Sequence, residues 1–343
     1  MHHLKKTSTI KDISREAGVS TTTVSRVLNG LSRKYRISKE TEELVLRMGE
    51  KLNYRPNLTA VSLRLQKSNT IGLVVPNLSN PFFSNIASIV THELRRSGYA
   101  VILTDCGENE NTEVEAVNLL NDRRIDGLLV MPSGKHPTHL ENIYNKGVPV
   151  VCIDRYFTSS GLPYVSTDNY QGAFDVTDYL IDCGHREIAC IQGTHHIMPN
   201  IQRVKGYTDA MRKAGIARLR VTGNDFTQEN GYLETKLLLQ KEARPTAILA
   251  LSDTIIFGSL KALKEEGLSV PQDISLVTFD NAEYLDFFDP PLTSVGQPVS
   301  QIARMSIKML LEMMEKREKG EAIQSKQILL NPVIVYRKSV QTR

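Results

Sequence analysis

The sequence predicts a small all-α head followed by a two-lobe α/β body. Three observations carry this. At 343 residues the chain is too long for one ordinary compact core. Its first 70 residues hold 14 Lys/Arg against 6 Asp/Glu, whereas the rest hold 28 against 32, so a basic head precedes a mildly acidic body. Finally, helical spacing of apolar residues gives way near Ile71 to short apolar runs alternating with amphipathic helices. Apolar residues at 41% and charged residues at 23% exclude wholesale disorder, a collagen-like repeat and a pure coiled coil.

The head reads as a helix-turn-helix. Thr9 caps a first helix, with Asp12 as its partner in the first turn, and Ile10, Ile13 and Ala17 fall on one face. Gly18 ends it, where a left-handed residue costs least. Val19 packs the turn. Ser20 caps a second helix, Thr21 to Leu28, with Val24, Val27 and Leu28 inward and Thr21, Thr22, Ser25 and Arg26 outward. Asn29-Gly30 terminates it. In such a unit the second helix enters the major groove of DNA. Ser38 caps a third helix whose apolar stripe is Leu44, Val45, Met48 and Leu52. The concentration of positive charge here is the footprint of a nucleic-acid partner. Pro56-Asn57 then opens a segment of about ten residues that is marginal as a helix alone and folds only when docked.

In the body, strands are expected at Ile71–Val75, Ala100–Leu103, Gly127–Met131, Val148–Ile153, Ile188–Ile191, Ala247–Leu251 and Ile274–Phe279. Helical spacing links Ile86, Ile89, Val90 and Leu94, and again Ala173, Val176, Thr177 and Leu180. The alternation argues for parallel sheets covered on both faces, in two lobes. Ligand sites in such sheets lie beyond the carboxyl ends of the strands, where Asp105, Asp154, Asp253 and Asp280 fall. Asp is also a common cap or turn residue, so position alone does not decide its role.

Other features exclude functions. No run of 18 apolar residues exists, so no membrane span is expected. The start lacks an apolar secretory core, which places the chain in the cytoplasm. Cys106, Cys152, Cys183 and Cys190 form no C-x-x-C pair and read as structural thiols. His195-His196 lacks companion ligands, so no metal is expected. There is no G-x-S-x-G, P-loop or H-E-x-x-H, and no carboxylate spacing points to a glycosidase, so no enzyme and no cofactor are expected.

The stretch Ile10–Gly30 (IKDISREAGVSTTTVSRVLNG) resembles the amino-terminal signature of the lactose-repressor (LacI/GalR) family of bacterial transcription factors, and Asn53–Asn57 (NYRPN) resembles that family's hinge entry. Later marks extend the resemblance across the chain: Ile71–Pro76, Asp126-Gly127, Gly184-His185, Arg203–Tyr207, Ser252-Asp253, Phe279–Asn281 and Pro291–Val295. The family implies a body like the type I periplasmic sugar-binding proteins, with two lobes, three crossovers near Asp168, Gln297 and Ile328, and one ligand in the cleft. The expected division is a head over 1–56 and a hinge helix over 57–70. A first lobe takes 71–168 with 298–327, and a second takes 169–297 with 328–343.

The resemblance also implies roles. DNA contacts fall to Thr21, Thr22, Ser25, Arg26, Asn29, Tyr54 and Asn57, with Leu63 as a wedge in the minor groove. Thr21-Thr22 is similar to the purine-repressor variant, but Arg26 departs from it. Effector contacts fall to Phe82, Phe83, Asp154, Arg203, Phe226, Ser252 and Asp280, a set suited to a sugar-like polyol. The implied protein is a homodimeric regulator reading a near-palindromic double-stranded DNA operator, most simply a repressor of carbohydrate-utilisation genes. Control by a purine or by a protein partner is the alternative, with a transport or catalytic sugar-binding role behind it. No heptad tail follows Ile328–Tyr336, so no tetramer is expected. One departure is Leu31–Ile37, longer than the family's usual turn and carrying Arg33, Lys34 and Arg36. It reads either as a set of phosphate contacts or as a mobile basic loop.

Overall fold

The computed structural model describes residues 8–54 and 67–343. Asn57, Leu63 and the expected hinge helix lie outside the described residues. The chain divides into one unit ending at Ser68 and a second beginning at Asn69.

Among the described residues the head holds three helices: α1 (Ile10–Ala17), α2 (Thr21–Leu28) and α3 (Lys39–Lys51). At the start of each, a side chain accepts from a backbone N–H that the helix leaves without a partner. The N–H and hydroxyl of Thr9 both donate to the Asp12 carboxylate, at 2.8 and 2.7 Å. Ser20 Oγ accepts from Thr23 N–H at 3.1 Å, and Ser38 Oγ accepts from Thr41 N–H at 3.2 Å. Gly18, at φ 65°, closes α1. Ile13, Ala17, Val24, Val27 and Val45 form the core. Leu44, expected in the α3 stripe, is instead exposed. The inward line runs from Val45 through Met48, Gly49 and Leu52, and Leu44 stands one residue, about 100°, off it.

The body holds two six-stranded sheets. The first contains β1 (Thr70–Val75), β2 (Ala100–Asp105), β3 (Gly127–Val130), β4 (Val150–Ile153), β5 (Tyr164–Thr167) and β11 (Gln327–Leu330). Its order is β11-β5-β4-β3-β1-β2, parallel throughout. The second contains β6 (Ile188–Ile191), β7 (Arg220–Thr222), β8 (Ala247–Ala250), β9 (Ser275–Phe279), β10 (Thr293–Gly296) and β12 (Val333–Val335). Its order is β12-β10-β9-β8-β6-β7, with β12 alone antiparallel.

Helices cover all four sheet faces. On the first sheet, α4 (Pro81–Arg96) and α11 (Val299–Lys319) bury Ile86, Val90, Leu310 and Met313 on one face. On its other face, α5 (Glu110–Asp122) and α6 (Thr138–Asn145) bury Val117, Leu120, Leu140 and Ile143. The second sheet packs against α7 (Asn169–Asp182) and α8 (Met198–Lys213) on one side. On its other side lie α9 (Gln228–Leu239) and α10 (Asp253–Glu265). Met309 and Met313 are ordinary core side chains of α11, with Met305 packed beside them. Cys106, Cys152 and Cys190 are buried, and all four cysteines are free.

The chain crosses between sheets after β5, after β10 and between β11 and β12. The third crossing falls at Asn331-Pro332, later than the Ile328 expected, because Ile328 pairs with Val165 in the first sheet. The apolar run Ile328–Tyr336 reads as one strand, yet Pro332 has no N–H to donate and splits it. Its second half pairs antiparallel with β10.

Helices α9 and α10 touch backbone to backbone. A Cβ built at Gly258 would lie 2.0 Å from the Gln228 carbonyl oxygen, and one at Gly231 would lie 2.0 Å from that of Ile255. Gly258→Ala is therefore expected to destabilise the body by about 2 kcal/mol, the usual scale of overpacking. Urea unfolding would show it, and an unchanged midpoint would mean the helices separate freely.

Candidate functional site

On the head, Thr21, Thr22 and Asn29 are exposed on α2, with Ser25 and Arg26 half-exposed beside them. The Asn29 amide donates to the Ser25 carbonyl, so this side chain closes the end of α2. The Arg26 guanidinium lies over the Tyr35 ring, 3.9 Å from its centroid. Tyr54 packs against the head's core, which makes its ring a structural member of this unit. Leu31–Ile37 forms a turn held by its own backbone: Tyr35 N–H donates to Leu31 O at 3.2 Å, and Ile37 N–H to Ser32 O at 2.9 Å. Arg33, Lys34 and Arg36 are exposed on it.

In the body, the carboxyl ends of the two sheets face a shared cleft, the place where small ligands bind in open α/β sheets. Phe82, Phe83, Asp154, Arg203, Phe226, Ser252 and Asp280 all line it. Asn80, Arg155, Ile197, Pro199 and Gln297 line it too, and the sequence reading did not select them. Arg155 is the residue after Asp154 at the end of β4, so its position was a usable signal. Gln297 was expected at a crossover, but its reach to Asp280 shows only in the fold.

The first lobe supplies an apolar wall. Asn80 caps α4 by accepting from Phe82 N–H at 2.9 Å, and this turn sets Phe82 and Phe83 edge to face, 5.3 Å apart. Arg155 forks onto Glu108 at 2.6 and 2.9 Å and lies over Phe83, 4.9 Å from the ring centre. Asp154 follows β4 at φ 62°, and its Oδ1 makes no hydrogen bond among the described residues.

The second lobe supplies the charged wall. Arg203, on α8, is 4% exposed. Its Nε donates to Asn169 Oδ1 at 2.7 Å and its Nη1 to the Leu251 carbonyl at 2.6 Å. Its face lies 4.1 Å from the centre of the Phe279 ring. Asp280 follows β9 at φ 71° and accepts from Gln297 Nε2 at 2.6 Å. The Gln297 Oε1 accepts from Thr167 at 2.6 Å, so this one side chain spans two crossings. Ser252 caps α10, its Oγ accepting from Ile255 N–H at 3.2 Å. Behind it, buried Asp253 accepts from the Tyr284 hydroxyl. Arg203 and Asp280 stand in the same lobe and form no ion pair within 4.0 Å, so an interlobe salt bridge between them is not what holds Arg203.

Burial pushes the Asp154 carboxyl up to about 6, with Arg203 and Arg155 opposing the shift. Burial also lifts Asp253 to about 6, reinforced by Asp280, and raises Asp280 itself. His195 and His196 use ring nitrogens on the carbonyls of Gly223 and Ser133, at 3.1 Å each. Among the described residues no group of three or more His, Cys, Asp or Glu could hold a metal, and no helix is long and apolar enough to cross a membrane.

A basic helix-turn-helix joined to a two-lobe binding body is the build of a DNA-binding transcription regulator. Residues 9–57 match the bacterial regulatory proteins of the lacI family, and residues 68–334 match the periplasmic binding proteins and sugar binding domain of LacI family; the chain belongs to that family. It is 34% identical over 338 residues to the HTH-type transcriptional repressor PurR of Vibrio campbellii, covering 97% of this chain and 99% of that one. The Lac repressor dimer bound to operator and the anti-inducer ONPF is 26% identical with a TM-score of 0.85, covering 98% of this chain and 100% of that one. A LacI family transcriptional regulator from Enterococcus faecium with bound ribose is 27% identical with a TM-score of 0.71, covering 80% of this chain and 99% of that one.

The raised Asp154 carboxyl has a consequence for stability. Unfolded, Asp ionises near pH 4, so below that both states hold the proton and the burial costs nothing. As pH rises from about 4 to about 6 the unfolded chain ionises first, and folding loses stability. Asp154→Asn is thus expected to stabilise the ligand-free protein at pH 7.5 by about 2 kcal/mol and to do little at pH 4. Thermal unfolding at the two pH values checks this, and an equal effect at both would refute it.

Proposed function

We propose that this chain is a cytoplasmic, homodimeric transcriptional repressor whose DNA binding is set by a monosaccharide-like polyol in the interlobe cleft. The carrying observation is Asp154 Oδ1, a buried acceptor with no donor among the described residues, facing a site whose opposite lobe offers Asp280 and Arg203. A buried acceptor left without a donor costs about 1–3 kcal/mol, so the site favours a ligand rich in O–H groups. A polyol presents hydroxyl donors in several directions and hydroxyl or ring oxygens to a guanidinium. Phe82, Phe83 and Phe226 give its C–H surface an apolar contact. A purine base presents its N–H donors only in the plane of its rings, so it cannot direct donors out of that plane as a polyol can. The ribose bound to the Enterococcus faecium relative supports the sugar reading.

Each lobe contributes to the ligand, so binding favours one interlobe angle. That angle sets whether the paired heads grip a near-palindromic operator. The coupling holds only if the ligand prefers one state over the other. The operator-bound Lac repressor dimer supports two copies acting together. On α2, Thr21, Thr22 and Arg26 read base edges, Arg26 through a guanine. Arg33, Lys34 and Arg36 contact phosphates.

A thermal-shift panel of pentoses, hexoses, sugar phosphates and purines tests the cleft. A ligand at 100 times its dissociation constant adds about 2.7 kcal/mol of stability. A monosaccharide hit that Arg203→Ala abolishes is the expected result, and a purine hit in its place would overturn the sugar reading while leaving the regulator. For the head, replacing Arg33, Lys34 and Arg36 together with Ala is expected to flatten the log–log salt dependence of operator binding by about 2–3, near 0.9 per phosphate lost. An unchanged slope would take these residues off the DNA.

A further inference from the structure

The Arg26 guanidinium is already stacked before any DNA arrives, on a ring delivered by the extra-long turn after α2. That turn is pinned at both ends. Leu31 N–H donates to the Arg26 carbonyl at 2.9 Å, and Ile37 packs against the head's core. Between them Ser32 is buried, and Arg36 takes φ 52°. The Tyr35 ring is still 43% exposed. A turn with this much internal bonding holds a large aromatic on the surface, and the partner of its face is Arg26.

We propose that Tyr35 is a positioning residue for base reading: it fixes Arg26 in the conformer that meets a guanine. Stacking occupies the flat face of a guanidinium and leaves its N–H edge unused. A bidentate guanine contact uses that edge. The two interactions are therefore compatible, and the stack removes rotamer freedom that an unsupported arginine would lose on binding. Discrimination at the base read by Arg26 rises, whereas contacts made by Thr21 and Thr22 are untouched. The inference rests on Arg26 reading a base.

Selection of full-length protein on a randomised duplex library, followed by sequencing, tests both layers. Arg26→Ala is expected to erase a G·C preference at one position in each half-site. Tyr35→Ala is expected to weaken the preference at that same position three- to tenfold and to leave the others alone. Tyr35→Phe keeps the ring and restores it. Tyr35→Leu keeps apolar bulk without a π face and behaves like Ala, which separates stacking from simple packing or loss of fold. If Arg26→Ala erases a position that Tyr35→Ala leaves intact, the positioning role is wrong and base reading stands. If Tyr35→Ala weakens every position equally, or Tyr35→Phe fails to restore the preference, the ring or its hydroxyl serves general affinity and the proposal falls. If Arg26→Ala erases no position, base reading by Arg26 fails and the proposal goes with it.

Discussion

The body depends on a buried guanidinium. Arg203 sits 4% exposed at the meeting point of three chain segments: the start of α7 through Asn169, the end of β8 through the Leu251 carbonyl, and the end of β9 through the Phe279 ring. A buried cation is tolerated only where its donors are satisfied and counter-charge lies near. Two donors are satisfied by neutral acceptors, and Asp154 and Asp280 supply the field. Neither carboxylate is close enough to neutralise it directly. Arg203 is thus held by Asn169 and the Leu251 carbonyl, which do not line the cleft, and not by a direct ion pair with either carboxylate.

Much of this was legible in the sequence, for identifiable reasons. Caps at Thr9, Ser20 and Ser38 are local chemistry, so helix starts in the head could be read residue by residue. Long apolar runs such as Ile71–Val75 and Ile188–Ile191 mark strands buried on both faces. The short strands β5, β7 and β10 are not legible because three or four residues are too few to establish a period. The split of Ile328–Tyr336 at Pro332 is likewise a tertiary fact: only pairing with β5 shows where the first half ends.

The cleft residues divide by the same logic. Asp154 and Asp280 stand at strand ends, where topology alone makes a ligand contact plausible, and both take positive φ there. Phe82 and Phe83 follow the first strand and offer an apolar face, whereas Arg203, Phe226 and Ser252 were reached only through the family resemblance. Asn80 escaped both routes, since a helix cap looks like an ordinary polar residue in a string, and Gln297 was legible as a crossover but not as a cleft residue. The Arg26–Tyr35 stack escaped because it joins a helix to a turn nine residues later.

The division of cleft groups between lobes constrains how a ligand signal leaves the site. Phe82, Phe83 and Asp154 belong to the first lobe, and Arg203, Phe226, Ser252 and Asp280 to the second. A ligand touching only one group of residues would bind equally well at every interlobe angle and shift nothing. A ligand touching both stabilises the angle at which its contacts are shared. The angle itself is governed at the crossings, and there Gln297 joins Thr167 of one crossing to Asp280 of the binding wall. A cleft-lining carboxylate and a crossing segment thus meet in a single hydrogen-bonded chain. Under the proposed polyol reading, a ligand hydroxyl donating to Asp280 would change what Gln297 must satisfy and so would link occupancy to lobe angle.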